Sequence, residues 1–326
     1  MIIDLEHHLP TEEQLLKKGA KPGRTQRVWD PDGKLRNHTS LDASRVELHL
    51  QFMDEAGIDM AVLSGNVHGD LDDCRNWNNY CAKLIKAHPT RFAGFADVVP
   101  FGGEPAFDEM ERAVKKLGMK GFHIYAQIEG RNLDSRELWP FYEKVSELGV
   151  PLNVHIASTL TGFDALHAPY GLYYVMAREF GICAATFRVC LGGVLEDFPN
   201  LVFIMNHFGG GISAIKERMD LYMNYVGPDF PSFYKDKTLI SKSWNEYFDK
   251  LYFNMAGREV GMAAVKCALT NINPNKLIFA TDWPLNYEVN PQGVRQYISE
   301  IKELDLSPDQ IDDMLGGNAA RLLRLN

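Results

Sequence analysis

Four short apolar runs in this chain end in residues that bind metal ions by type. The first leads into Glu6-His7-His8. The others are Leu152-Asn153-Val154-His155, Phe203-Ile204-Met205-Asn206-His207 and Leu277-Ile278-Phe279-Ala280-Thr281-Asp282. Glu6 and His8 are two residues apart, so a strand presents both on one face. A mononuclear transition-metal site needs three or four nitrogen or oxygen ligands and an open position. Two carboxylates and two imidazoles meet that need and roughly cancel a divalent charge, which suits one Zn²⁺ or Mn²⁺. An anionic substrate would then need arginine. His207 reads as a further imidazole ligand or as a proton-transfer group, because a neutral imidazole suits acid–base work near neutral pH. Singly, each residue has a plainer role: a hydrogen-bonded histidine, a cap at Asp282, an ion pair at Glu6. Their coincidence at the same strand ends favours the metal.

The elements that must position these residues follow a regular rhythm. Apolar runs fall at 2–8, 58–64, 92–98, 119–125, 150–156, 201–207, 251–256 and 276–281. Most are apolar throughout, as parallel strands buried on both faces are. Helical spacing lies between them, at Val46, Leu50 and Met53, at Phe107, Met110, Val114 and Leu117, and at Leu138, Phe141, Val145 and Leu148. Gly57, Gly118 and Gly149 each stand between such a helix and the next strand, where a helix stop belongs. Eight βα units predict a (β/α)8 TIM-like barrel, with 1–326 as one domain. An open doubly wound sheet is disfavoured because no Gly-x-Gly-x-x-Gly turn follows the first strand. Residues 9–43, 158–180 and 225–245 exceed a minimal barrel and are expected as loop insertions on its C-terminal face. Lys120 falls at the start of the fourth strand, the wrong end to bridge two metals, which favours one. Gly209-Gly210-Gly211 reads as small residues that let the next helix approach the rim, in preference to a phosphate cradle.

Bulk properties narrow the partners. Hydrophobic residues make up 45% of the chain and charged ones 24%, with a net charge of −9. No Lys/Arg-rich run stands out, so neither nucleic acid nor an anionic membrane is expected. No basic-then-apolar leader opens the chain and no apolar run is long enough for a membrane span. The five cysteines, Cys74, Cys81, Cys183, Cys190 and Cys267, show no Cys-x-x-Cys spacing. Reduced thiols in a cytoplasmic protein are the simplest reading.

These residues resemble the amidohydrolase superfamily, in its branch of aminocarboxymuconate-semialdehyde, γ-resorcylate and 5-carboxyvanillate decarboxylases. The likeness spans the chain. It rests on Glu6-His7-His8, the stretch His88 to Phe95, Leu117 to Gly121, the His207-x-Gly-Gly turn, Thr281-Asp282-Trp283-Pro284 and Gly317 to Arg321. The resemblance implies metal ligands Glu6, His8, His155 and Asp282, with His207 beside the substrate. It also implies an arginine eleven residues after that histidine, here Arg218, reaching a neighbouring subunit's site in a homodimer or homotetramer. Arg24, Arg27 and Arg45 are candidates for a second arginine, and Arg258 for another substrate contact. The chain departs from the pattern after His155, where Ile156 stands in place of the usual proline.

The expected function is a metal-dependent, non-oxidative decarboxylase of a small aromatic or unsaturated hydroxy acid, with His207 and Asp282 as catalytic groups. The alternative is a hydrolase or hydratase on the same barrel. A non-enzyme, a barrel that keeps its ligands for stability or binding, is a third reading.

Overall fold

The structure is a computed structural model. It describes residues 1–23, 26–29, 35–65, 69–156, 160–163, 166, 172–224, 239–255, 261–284 and 290–325. Arg24 and Arg258, and residues 225–238 of the third expected insertion, lie outside the described residues.

All eight expected strands are present. They are β1 (Ile3–His8), β2 (Met60–Ser64), a third stave in two pieces, β3 (Phe92–Gly94) and β4 (Ala96–Asp97), then β5 (Phe122–Tyr125), β6 (Leu152–His155), β7 (Phe203–Met205), β8 (Tyr252–Asn254) and β9 (Leu277–Ile278). Every pairing between them is parallel. The ladders form one sheet of β1–β2–β3 and a second running from β4 through β9 in chain order. Backbone hydrogen bonds cross both seams. Phe95 N donates to Leu63 O and Ala96 N to Gly121 O, each at 2.9 Å, while Leu5 N donates to Phe279 O at 3.0 Å and Asp282 N to Glu6 O at 2.9 Å. The staves thus follow one another around a (β/α)8 barrel, with helices such as Val46–Ala56, Gly103–Lys115 and Trp139–Leu148 outside. Gly57, Gly118 and Gly149 do follow their helices in left-handed backbone, at φ 78°, 75° and 62°, a conformation that costs glycine little.

The barrel interior has an apolar floor and a polar upper layer. Ile3, Leu5, Met60, Val62, Ala93, Phe95, Ile204, Ile278 and Ala280 form one buried cluster, closed below by Ala319 and Leu323 of the last helix, Asn318–Leu323. Above the floor lie Glu6, His8, His123, Asn153, His155, Asn206 and Asn254, all buried. The register of β1 slips by one residue against β2 between Asp4 and His7. A bulge of this kind re-aims side chains. Below it Ile3 and Leu5 face inward, and above it Glu6 and His8 do. Asp4 and His7 share the outer side, joined Oδ2 to Nδ1 at 2.8 Å.

Several expected boundaries shift. β7 stops at Met205, so His207 stands in a turn beyond the strand end. β9 stops at Ile278, leaving Asp282 four residues past the ladder. Lys120 sits at the opposite end of the barrel, where Nζ donates to Arg324 O at 3.3 Å. The described part of the second insertion bonds to the loop after β5, with Gln127 and Thr161 exchanging two hydrogen bonds. Among the described residues, no helix is long and apolar enough to cross a membrane.

Candidate metal centre

Glu6, His8 and His155 each offer a ligand atom, and these atoms lie within 4.8 Å of one another. His8 Nε2 is 3.3 Å from Glu6 Oε1, and His155 Nε2 is 3.9 Å from the same oxygen. Asp282 joins through His8, its Oδ1 standing 2.9 Å from His8 Nε2, but it is not one of the tight group of three.

The atoms around this group decide which lone pairs face its centre. His155 Nδ1 lies 3.0 Å from Ile156 O, and His8 Nδ1 lies 3.3 Å from Ser64 O. A carbonyl only accepts, so each Nδ1 carries the proton; His155 Nε2 is then left with its lone pair toward the site, while His8 Nε2 faces the carboxylates of Asp282 and Glu6. Glu6 is oriented by amides. Its Oε2 accepts from Asn153 Nδ2 at 2.7 Å, Asn206 Nδ2 at 2.8 Å and Asn254 Nδ2 at 3.3 Å. Three staves therefore hold one carboxylate oxygen and turn the other inward. Among the described residues, Glu6 Oε1 and His155 Nε2 are buried without a hydrogen-bond partner. Such atoms are costly in a folded protein unless something binds them. The donor set, the preset tautomers and these two orphaned atoms fit a divalent ion with nitrogen and oxygen ligands.

The electrostatics point the same way. Burial raises the Glu6 carboxyl above its ordinary value, against the opposing pull of His8 and the asparagine amides. Burial alone would lower the His8 ring, but its bond to Asp282 and the Glu6 charge outweigh it and raise the ring. Burial also pushes Asp282 up, and again the His8 bond prevails, holding the carboxyl low. His155 is held well below the ordinary imidazole by burial and then by the charges of His123 and His8. Two carboxylates crowd one imidazole, in a buried place that favours positive charge.

His207 is set apart from the strands by backbone geometry. His207, Phe208, Gly209 and Gly210 all have positive φ, at 51°, 54°, 64° and 66°. Non-glycine residues rarely adopt this region, and where they do the strain tends to lie at working sites. Asp282 shares the feature, at φ 55°. His207 N donates to Asn254 Oδ1 at 2.9 Å, and its ring Nδ1 meets Glu179 Oε1 at 2.7 Å. The His207 and His155 ring centroids are 6.4 Å apart. A Cβ on Gly210 would collide with the Glu179 carbonyl oxygen and lie 2.8 Å from Cys183 N. The small residues here do admit a helix, but it is the preceding one, Arg178–Leu191, and not the next as expected.

Outside the barrel wall a second chain of contacts fixes the Asp282 segment. Asp4 Oδ1 accepts from Thr281 N at 2.8 Å, and Asp4 Oδ2 accepts from Thr281 Oγ1 at 2.6 Å. His7 Nε2 meets His49 Nδ1 at 2.9 Å, and His49 Nε2 meets Ala43 O at 2.9 Å. The Ala43 carbonyl requires a proton on His49 Nε2, so Nδ1 accepts from His7. Trp283 stacks on Phe52 at 4.4 Å and on His7 at 5.3 Å.

Arg218 is exposed on the helix Ser213–Asn224, its guanidinium 5.2 Å from the Tyr222 ring. It makes no described contact with its own chain's metal-ligand group. Arg45 is likewise exposed and lies 3.8 Å from Asp42. Of Arg27, only the backbone is described. Asn153, Asn206, Asn254, Glu179, Asp4 and His49 were not expected from the sequence. The three asparagines carried a signal, as polar residues inside otherwise apolar strands.

The amidohydrolase family profile matches residues 3–325, nearly the whole chain. The chain belongs to the amidohydrolase family. This amidohydrolase is 27% identical to a gamma-resorcylate decarboxylase of Polaromonas sp. (strain JS666), over 99% of this chain and 98% of that protein. It is 25% identical to the 2-amino-3-carboxymuconate-6-semialdehyde decarboxylase of Dictyostelium discoideum, over 99% of this chain and 85% of that one. A shorter match, 31% identical over 50% of this chain and 51% of the other, is to a 2-keto-4-carboxy-3-hexenedioate hydratase of Sphingobium sp.. Among solved structures, a dihydroxybenzoic acid decarboxylase from Polaromonas sp. JS666 with bound manganese and the inhibitor 2-nitroresorcinol superposes with a TM-score of 0.76. That match covers 100% of this chain and 97% of the other at 24% identity, and it shows that the two share the barrel fold.

Proposed function

We propose that this amidohydrolase is a metal-dependent, non-oxidative decarboxylase of a small aromatic hydroxy acid. The observation that carries the reading is the convergence of Glu6 Oε1, His8 Nε2 and His155 Nε2, with Glu6 Oε1 and His155 Nε2 buried and lacking a hydrogen-bond partner among the described residues, in a chain with decarboxylases among its relatives over nearly its whole length. Glu6, His8, His155 and Asp282 would hold one divalent ion. Manganese is the first choice because the Polaromonas structure contains it, and zinc suits the same donors. When bound, the ion supplies Lewis acidity and a template for the substrate carboxylate and its neighbouring oxygen.

The chain's own groups would then handle the proton. Asp282, ionised at rest, passes on a proton taken from His207 to the ring carbon that bears the carboxylate, which costs the ring its aromaticity. The carbon–carbon bond breaks, carbon dioxide leaves, and the bonding pair returns to the ring. His207, braced by Glu179, is the second proton-handling group, since a carboxylate on one ring nitrogen fixes the tautomer and orientation of the other. Glu179→Gln keeps the shape but weakens this brace. Turnover should fall by about 10- to 100-fold, less than the roughly 10²- to 10⁴-fold of a positioned acid–base group because the group itself remains, with metal content unchanged. Steady-state rates beside elemental analysis check it, and an unchanged rate would remove His207 from the chemistry.

Arg218 would act across a subunit boundary in a homodimer or homotetramer. Its helix also exposes Ile215, Leu221 and Tyr222, an apolar face of the kind that marks association surfaces. Sedimentation should show a dimer or larger, and a monomer with full activity would overturn this role. The buried thiols of Cys74, Cys81, Cys183 and Cys190 support a cytoplasmic setting, where thiols stay reduced. Their survival unpaired in protein purified from cells without reductant tests it, and native disulfides would contradict it.

The hydratase relative keeps a second reading in view, water addition to an unsaturated acid. Product analysis separates the two. Manganese-loaded protein given hydroxybenzoates and unsaturated dicarboxylic acids should release carbon dioxide from a hydroxybenzoate. A product heavier by one water, with no gas released, would establish the hydratase instead.

A further inference from the structure

Asp4, His7 and His49 are wholly buried, yet none of them faces the metal centre. A buried chain of ionisable groups adds little stability that apolar residues of the same shape would not supply. Fully satisfied, such a chain does fix one arrangement of the segments it joins. We infer that His49 is a positioning residue for Asp282, holding its segment through His7 and Asp4 on one side and through Trp283 on the other. The inference rests on the proposed function, in which Asp282 is a metal ligand and handles the proton.

Two arms run from His49 to the neighbours of Asp282. The first is made of hydrogen bonds. His49 Nδ1 accepts from His7 Nε2 at 2.9 Å, His7 Nδ1 meets Asp4 Oδ2 at 2.8 Å, and Asp4 takes both the backbone N and the Oγ1 of Thr281. The second arm is aromatic. The His49 ring meets Trp283 edge-on, with centroids 4.4 Å apart and planes at 90°. Phe52, three residues further along the same helix, stacks on Trp283 at the same distance. The backbone adds a bond from His8 N to Trp283 O at 2.7 Å. Thr281 and Trp283 are thus both clamped, and Asp282 lies between them at φ 55°. A non-glycine residue keeps such backbone only where its surroundings over-determine it. The clamped turn is what sets Asp282 Oδ1 2.9 Å from His8 Nε2.

His49 is the end of the chain that sets its direction. Its Nε2 donates to Ala43 O at 2.9 Å, which leaves Nδ1 as an acceptor. Burial, and then the neighbouring His7, hold the His49 ring well below the ordinary imidazole, so it stays neutral. Leucine in its place would leave His7 Nε2 a buried donor without an acceptor, a costly state that turning the His7 ring relieves. The turned ring would release Asp4, and with it Thr281. Asparagine puts a carbonyl oxygen about where Nδ1 stands and keeps the acceptor.

The test measures the Mn²⁺ dissociation constant, and kcat and KM for 2,6-dihydroxybenzoate, on the full-length protein. The proteins are wild type, His49→Leu, His49→Asn, Asp282→Asn and the His49→Leu, Asp282→Asn double variant. His49→Leu should lower kcat and weaken Mn²⁺ by about 10- to 100-fold each, as loss of an outer-shell partner does, with KM little changed. His49→Asn should recover most of both. In the double variant His49→Leu should cost nothing beyond Asp282→Asn, because the group it positions is already gone, whereas a general loosening of the fold would add its full cost. Full additivity, wild-type constants in His49→Leu, or a His49→Asn as impaired as His49→Leu would overturn the inference and leave the proposed function standing. If wild type releases no carbon dioxide, the proposed function fails and the Mn²⁺ constants decide alone by the same comparisons. If wild type binds no Mn²⁺, both fail. Should His49→Leu not fold, His49→Gln replaces it, since its longer amide reaches Ala43 O but leaves no acceptor where Nδ1 stood, and wild-type constants there overturn the inference.

Discussion

Replacing Asp282 with Asn is expected to cut turnover by about 10³-fold, within the roughly 10²- to 10⁴-fold range for a positioned acid, while much of the metal stays bound. The reason lies in where Asp282 stands. Glu6, His8 and His155 form the tight group, and Asp282 touches it through His8 Nε2 at 2.9 Å. An asparagine keeps that oxygen and the shape of the left-handed turn, and Thr281, held by Asp4, keeps the segment in place. What it loses is the ionisable proton. Such a drop corresponds to about 4 kcal/mol in the barrier. Steady-state rates beside elemental analysis give both readouts. Unchanged turnover would remove Asp282 as the acid, and loss of all metal would make it chiefly a ligand.

Replacing His155 with Ala should abolish tight metal binding and, with it, activity. Loss of an outer-shell partner alone costs roughly 10- to 100-fold in affinity, so loss of a ligand costs more. His155 is the sharper choice among the three because its ring makes little else. Nδ1 bonds a neighbouring carbonyl, and Nε2 has no hydrogen-bond partner among the described residues. The ring also lies within 5.2 Å of two other imidazoles, His8 and His123, centroid to centroid. The clearest readout is thermal. A ligand that binds only the folded state stabilises it by about 2.7 kcal/mol at one hundred times its Kd. Added Mn²⁺ should raise the Tm of wild type and leave that of His155→Ala unmoved. An equal rise in both would place the ion elsewhere.

Much of this site was legible in the residues alone, and the reason is geometric. A parallel barrel brings every strand's C-terminal end to one mouth. Ligand-type residues ending apolar runs therefore meet in space without further information, and Glu6, His8 and His155 do so. The two-residue spacing of Glu6 and His8 survives because the β1 bulge lies just below them. The same bulge hid the partnership of Asp4 with His7, since three residues along a regular strand face opposite ways.

Other parts were hidden for different reasons. His207 and Asp282 stand past the ends of their strands, in left-handed backbone that neither residue type announces. Glu179 belongs to a helix whose approach depends on Gly210. The glycine triplet signalled closeness but not to what. Asn153, Asn206 and Asn254 looked like isolated polar interruptions. Their common purpose shows only when three adjacent staves are rolled into one wall around Glu6 Oε2.

The most direct test of the central claim is metal-dependent release of carbon dioxide. The purified protein is stripped by chelator, then titrated with Mn²⁺ in the presence of 2,6-dihydroxybenzoate and related hydroxybenzoates, with headspace gas and the neutral phenol both measured. Gas and phenol should appear in equal amounts from a hydroxybenzoate, rising with Mn²⁺ and levelling at about one ion per chain, as a mononuclear site requires. Release that is indifferent to the ion, or a hydrated product without gas, would contradict the account.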